Sequence, residues 1–130
     1  MRTIDLTDIH VLIVDDHDDM LDVLSAALQQ FGATVLRART GRAALTIVMT
    51  VRVNAIVSDL AMPGEDGLWL VQQLRGLNYD KGGIVPAIAV TAHPDHYGAE
   101  QAKVAGFDAF LAKPVDPFDL SKAVASLVGR

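Results

Sequence analysis

The chain has 130 residues, no cysteine, and 11 Lys+Arg against 16 Asp+Glu, a formal net charge of −5. Length and composition predict one globular domain over 1–130, with a core from about 9 to 128, and the missing cysteine excludes disulfides and cysteine-ligated zinc. No apolar run exceeds four residues, against ~20 for a membrane span and ~7–15 for a signal peptide, so a cytoplasmic domain is expected; net negative charge without a Lys/Arg run speaks against direct nucleic-acid binding.

His10–Val14 is a short β-rich run ending at Asp15-Asp16. Leu21, Leu24, Leu28 and Phe31 follow at helical spacing, on one face, and Gly32 is the expected C-terminal stop. Thr34–Arg37 reads as a strand, and Gly41–Met49 as a helix with Ala44, Leu45 and Val48 inward. Ala55–Ser58 is the next strand, with Asp59 at its end. Met62-Pro63-Gly64-Glu65-Asp66-Gly67 is turn material, and the helix after it carries Leu68, Val71 and Leu74. Gly76–Val85 reads as a loop. Ala87–Val90 is an apolar strand ending at Thr91. A weaker helix is expected over about Asp95–Ala105, softened by Gly98 inside it. Ala109–Ala112 is the fifth strand, ending at Lys113-Pro114. The last helix, about Phe118–Val128, carries Leu120, Val124 and Leu127 on one face.

Five short apolar strands alternating with five helices predict an α/β fold, a doubly wound parallel sheet covered on both faces. Ligands of such sheets bind outside the carboxyl ends of the strands. Those ends carry Asp15 and Asp16, Asp59, Thr91 and Lys113, from four strands. Three neighbouring carboxylates repel and call for a cation. An all-oxygen set with waters suits Mg²⁺. Lys113 and Thr91 suit phosphoryl oxygens, and a carboxylate can be the nucleophile that forms an aspartyl-phosphate.

These residues resemble the receiver domain of bacterial two-component response regulators, of the chemotaxis-regulator type. The resemblance runs from about Ile9 to Val128. It rests on Val11-Leu12-Ile13-Val14-Asp15-Asp16, Ser58-Asp59 with Met62-Pro63 and Asp66-Gly67, Thr91-Ala92, and Gly106-Phe107-Asp108-Ala109-Phe110-Leu111-Ala112-Lys113-Pro114. It implies a flavodoxin-like (βα)5 fold of strand order 2-1-3-4-5. It implies that Asp59 accepts the phosphoryl group, and that Asp16, Asp59, the Ala61 carbonyl and, through a water, Asp15 hold Mg²⁺. Thr91 and Lys113 are implied as the groups that bind phosphoryl oxygens, Thr91 and Phe110 as a switch pair, and Lys113-Pro114 as a cis peptide.

The implied partners are a histidine kinase or phosphotransfer domain and a downstream protein on the fourth helix–fifth strand–fifth helix face. The implied state is a monomer or a weak dimer on phosphorylation. The domain would catalyse only its own phosphorylation and dephosphorylation. It resembles both stand-alone regulators and receivers fused to hybrid sensor kinases.

Ala61 and His93 occupy positions that tune phosphoryl lifetime in such domains; the Ala side chain cannot orient a water, and His93 would be a titratable or bulky lid. The histidines at 10, 17, 93 and 96 lack metal-ligand spacing and are expected on the surface, His17 and His93 at the site rim. Trp69, off the apolar stripe, is expected as a partly buried helix-face aromatic, and Met20, Met49 and Met62 as core filler. A haloacid-dehalogenase-type phosphatase would carry its nucleophile on the first strand. A flavodoxin-like cofactor binder would have a Gly/Ser/Thr-rich loop where Asp15-Asp16 stand. A receiver-like module that is never phosphorylated would not need the complete acid, Thr and Lys set.

Overall fold

A computed structural model describes residues 3–92, 94 and 98–130. The strands are β1 (His10–Val14), β2 (Thr34–Ala38), β3 (Ala55–Asp59), β4 (Ala87–Thr91) and β5 (Ala109–Ala112). The helices are α1 (Asp18–Gln29), α2 (Gly41–Thr50), α3 (Gly67–Arg75), α4 (Ala99–Ala105) and α5 (Pro117–Leu127), with a 3-10 turn at Tyr79–Lys81. The sheet is parallel, of order β2-β1-β3-β4-β5. This is the flavodoxin-like, doubly wound α/β fold.

The two-residue period of a strand explains the layers. Val11 and Ile13 of β1, Val57 of β3, and Ile88 and Val90 of β4 face one side, against Leu21, Leu24 and Leu28 of α1 and Leu120 and Val124 of α5. Leu12, Val14 and Ile56 face the other side, against Ala44 and Val48 of α2 and Leu70 and Leu74 of α3. Ala87 and Ala89 meet Val71, Ala102 and Phe107 on that same side. Ile56 has no exposed surface, so Ile56→Ala removes about 2–5 kcal/mol of stability. Urea unfolding of the variant should show it as a lower midpoint with an unchanged slope.

Several expectations are corrected. Helix α1 stops at Gln29, because Gly32 turns the chain at φ +98 and Ala33 N–H bonds back to the Leu28 carbonyl. Phe31 therefore lies in the turn, where its ring meets Phe118 edge-on at 6.4 Å. In α3 the deeply buried set is Leu70, Val71 and Leu74, while Leu68 is only partly buried. The helix straddles two clusters, with Leu70 and Leu74 in one and Val71 in the other. Met49 is 54% exposed; Ala44 and Val48, four apart, take the inward face of α2, and the next residue turns away. Met62 is buried and Met20 packs on the core.

Gly98 is the N-cap of α4, in extended conformation, not an interior residue. The expected helix start at Asp95, and His93 and His96, lie outside the described residues.

Local signals end the elements. Asp66 caps α3 by accepting from Trp69 N–H at 2.9 Å, and Asp116 caps α5 by accepting from Phe118 and Asp119 N–H. Arg75, at the end of α3, donates to the carbonyls of Gly83, Val85 and Gly106 and to Asp108. Asp108 in turn accepts from Ala87 N–H. These bonds tie the turn before β5 to the start of β4.

Candidate functional site

Three parallel strands run side by side and stop together, so their last residues meet. Val14 pairs with Ser58, and Asp59 with Val90, in adjacent registers. Asp15 follows β1, Asp59 ends β3 and Thr91 ends β4; all three are buried. Lys113 follows β5, and its peptide bond to Pro114 is cis. Its Nζ lies 2.9 Å from Asp15 Oδ2 and 3.4 Å from Asp59 Oδ2. One ammonium thus faces two buried carboxylates. Lys113 N–H also donates to the Thr91 carbonyl, at 2.8 Å, which carries the β4–β5 pairing into the site.

Donor atoms of Asp15, Asp16, His17 and Asp59 all lie within 4.8 Å of one another. His17 stands at the N-cap of α1, yet its side chain makes no cap hydrogen bond. Its Nδ1 lies 3.1 Å from Asp15 Oδ1 and 3.1 Å from Asp16 Oδ1. The contact to Asp16 falls outside hydrogen-bonding geometry: among the described residues, the buried Asp16 Oδ1 has no hydrogen-bond partner. An orphaned carboxylate oxygen beside two further carboxylates is the coordination environment a divalent cation satisfies. The residues present therefore fit Mg²⁺.

The segment after Asp59 is held closely. Ala61 N–H donates to Asp59 Oδ1 at 3.2 Å. Leu60 N–H bonds to the Val90 carbonyl, and Gly67 N–H to the Leu60 carbonyl. A Cβ on Gly67 would overlap the Asp59 carbonyl oxygen and approach Leu60 Cα to 2.9 Å, so only glycine lets α3 start so near the end of β3. On the outer side, Arg42 donates to Glu65 at 2.7 Å and lies 5.4 Å from the Trp69 ring centroid. Trp69 is partly buried there.

Burial raises the Asp59 carboxyl above its ordinary range; the Lys113 charge opposes this, the Asp15 charge adds to it, and the Ala61 N–H opposes it. As pH rises from the ordinary carboxylate value through the raised folded value, the unfolded chain gives up its proton first, and stability falls. Asp59→Asn removes that cost. In chelator, the variant should melt above the native protein at pH 7, and the difference should close as pH falls below the ordinary carboxylate value. A lower melting temperature for the variant at pH 7 would contradict this.

The sequence profile of the response regulator receiver domain matches residues 11–125. The chain belongs to this family. A 14.6 kDa uncharacterized protein of Leptolyngbya boryana is 38% identical to this receiver over 119 residues, covering 92% of this chain and 89% of that one. The sensor histidine kinase GacS of Pseudomonas protegens is 31% identical over 120 residues. There the match covers 92% of this chain but 13% of the kinase, so the receiver corresponds to a small part of it.

The receiver domain of the sensor histidine kinase PA1611 of Pseudomonas aeruginosa superposes with a TM-score of 0.84 at 28% identity, covering 93% of this chain and 98% of that one. Its crystal structure holds a magnesium ion in the active-site cleft. Among the described residues of this receiver, no helix is long and apolar enough to cross a membrane.

Five of the candidate residues, Asp15, Asp16, Asp59, Thr91 and Lys113, stand at the carboxyl edge of the sheet as the strand ends predict. Phe110 lies farther off, on β5, where it is partly buried and lines a groove of about 370 Å³ with Ala102, Lys103 and Phe107. His17 is expected only at the rim, yet its ring reaches both carboxylates that follow β1, those of Asp15 and Asp16. The signal available in the sequence is adjacency to Asp15-Asp16; the rotamer that brings Nδ1 to both carboxylates while the ring stays exposed is a tertiary outcome.

Proposed function

We propose that this receiver is a phosphorylation-activated switch of two-component signalling, with Asp59 as the phosphoryl acceptor. The convergence of Asp15, Asp16, Asp59 and Lys113 at one sheet edge carries the reading. A carboxylate oxygen of Asp59 attacks the phosphorus of a phosphohistidine on a histidine kinase or phosphotransfer domain. The new O–P bond forms as the P–N bond breaks, and the imidazole leaves with the electron pair and is protonated. Lys113 and the Thr91 hydroxyl take up phosphoryl oxygens. Asp15, Asp16, Asp59 and the Ala61 carbonyl would hold Mg²⁺, which supplies charge neutralisation at the phosphoryl oxygens. Attack by water on phosphorus later restores the carboxylate and releases inorganic phosphate, so the domain turns over only its own phosphoryl group.

The phosphoryl group biases an existing equilibrium. Thr91 moves toward it, and Phe110 follows into the space beside α4. The α4–β5–α5 face then meets a downstream protein in the cytoplasm. Raising an active form from a few per cent to near completion takes roughly 4–5 kcal/mol of differential stabilisation. The test is mass spectrometry after incubation with acetyl phosphate and Mg²⁺. One phosphoryl group on the peptide that contains Asp59 is the expected result; its absence under conditions that label a control receiver overturns the reading.

A further inference from the structure

We propose that His17 is an additional metal ligand, and that it lets this site hold a borderline divalent transition ion such as Ni²⁺, Co²⁺ or Zn²⁺ as an alternative to Mg²⁺. The inference rests on the reading of Asp15, Asp16 and Asp59 as a cation site and adds a donor to it.

The geometry is that of donors sharing one ion. Two donors each ~2.1 Å from a metal and at right angles to each other are about 3 Å apart. His17 Nδ1 is 3.1 Å from Asp15 Oδ1 and 3.1 Å from Asp16 Oδ1. One imidazole nitrogen is therefore placed for adjacent coordination with both carboxylates at once. The two Asp15 oxygens are divided: Oδ2 faces Lys113, and Oδ1 lies on the His17 side. Asp16 Oδ1, without a hydrogen-bond partner among the described residues, is the second oxygen on that side.

The ring's present tie in the site is one hydrogen bond, between Nδ1 and Asp15 Oδ1 at 3.1 Å, and an ion bound by both atoms would replace it. His17 occupies the N-cap position without a side-chain cap bond, and its side chain is 67% exposed. Coordination costs the helix no cap, and an ion can arrive from solvent past the ring.

The chemistry then sorts the ions. Mg²⁺ prefers oxygen and keeps its waters, so it gains little from an imidazole. Ni²⁺, Co²⁺ and Zn²⁺ accept imidazole nitrogen readily and bind mixed N/O sites more tightly than hard ions do. With His17 in reach, the same carboxylates form a mixed N/O site. A transition ion held there would compete with Mg²⁺ for the carboxylates.

Calorimetric titration of tag-free protein with Ni²⁺, and separately with Mg²⁺, tests this in the native protein, His17→Ala and His17→Gln. Both variants should bind Mg²⁺ within about twofold of the native protein. Both should lose affinity for the Ni²⁺ that Mg²⁺ displaces by at least the roughly 10–100-fold seen when a ligand's outer partner is removed. With Co²⁺, the native protein should show a paramagnetically shifted imidazole resonance that is missing from both variants. Equal Ni²⁺ affinity in all three proteins, or parallel losses for Ni²⁺ and Mg²⁺, overturns the ligand role. Failure of the native protein to bind Mg²⁺ appears in the Mg²⁺ arm alone and overturns the underlying cation-site reading instead.

Discussion

Asp59→Asn should take up no phosphoryl label from acetyl phosphate, where the native protein takes up one. The amide of Asn is close to isosteric with the carboxylate but has no nucleophilic oxygen of comparable strength. The neighbouring acids are poor substitutes. Asp15 is wholly buried, with Oδ2 committed to Lys113 at 2.9 Å and Oδ1 accepting from His17 N–H. Lys113, the group suited to a phosphoryl oxygen, has its ion pairs with Asp15 and Asp59 and not with Asp16. The variant is expected to be more stable than the native protein at pH 7, so a melting curve separates lost chemistry from lost fold. Phosphoryl incorporation measured by mass is the check, and labelling of the variant at the native rate would end the assignment of Asp59.

Removal of divalent cations should suppress labelling nearly as completely. Three carboxylates share the site with one lysine that faces two of them. Counting formal charges, three negatives and one positive leave −2 before the phosphoryl group arrives. At ~4 Å, two unit charges repel by about 4 kcal/mol at the effective dielectric of a protein surface, so the approach of a phosphoryl donor is strongly opposed. Metal neutralisation of this kind contributes several kcal/mol, and ~3 kcal/mol is already more than a hundredfold in rate. Acetyl phosphate labelling in excess EDTA should thus fall by about two orders of magnitude or more and return with added Mg²⁺. A rate unchanged by chelation would refute the metal requirement.

Much of the molecule is legible in local patterns, and its limits are instructive. The strands at His10–Val14, Ala55–Asp59 and Ala87–Thr91 announce themselves as short apolar runs because both faces of a central strand are covered. The helix ends are less legible. Phe31 continues the apolar spacing of α1, but the turn at Gly32 takes it out of the helix and pairs it with Phe118. Leu68 has the right spacing and only partial burial, since α3 divides its apolar residues between two clusters. Met49 shows that an apolar residue next to a core position is not itself core.

The acids at the strand ends follow from order along the chain alone. In a parallel sheet every strand runs the same way, so residues that close successive strands must collect at one edge. The alternation of strand and helix therefore places Asp15, Asp16, Asp59, Thr91 and Lys113 at one edge by order along the chain alone. Distances and side-chain directions do not follow from that order. That Lys113 bridges Asp15 and Asp59, that burial lifts the Asp59 carboxyl, and that the His17 ring turns between two carboxylates depend on rotamers chosen by packing and charge across the fold. Sequence order settles which edge a residue reaches. Only the tertiary structure decides which of its atoms faces which neighbour, because that choice is made between groups up to 98 residues apart.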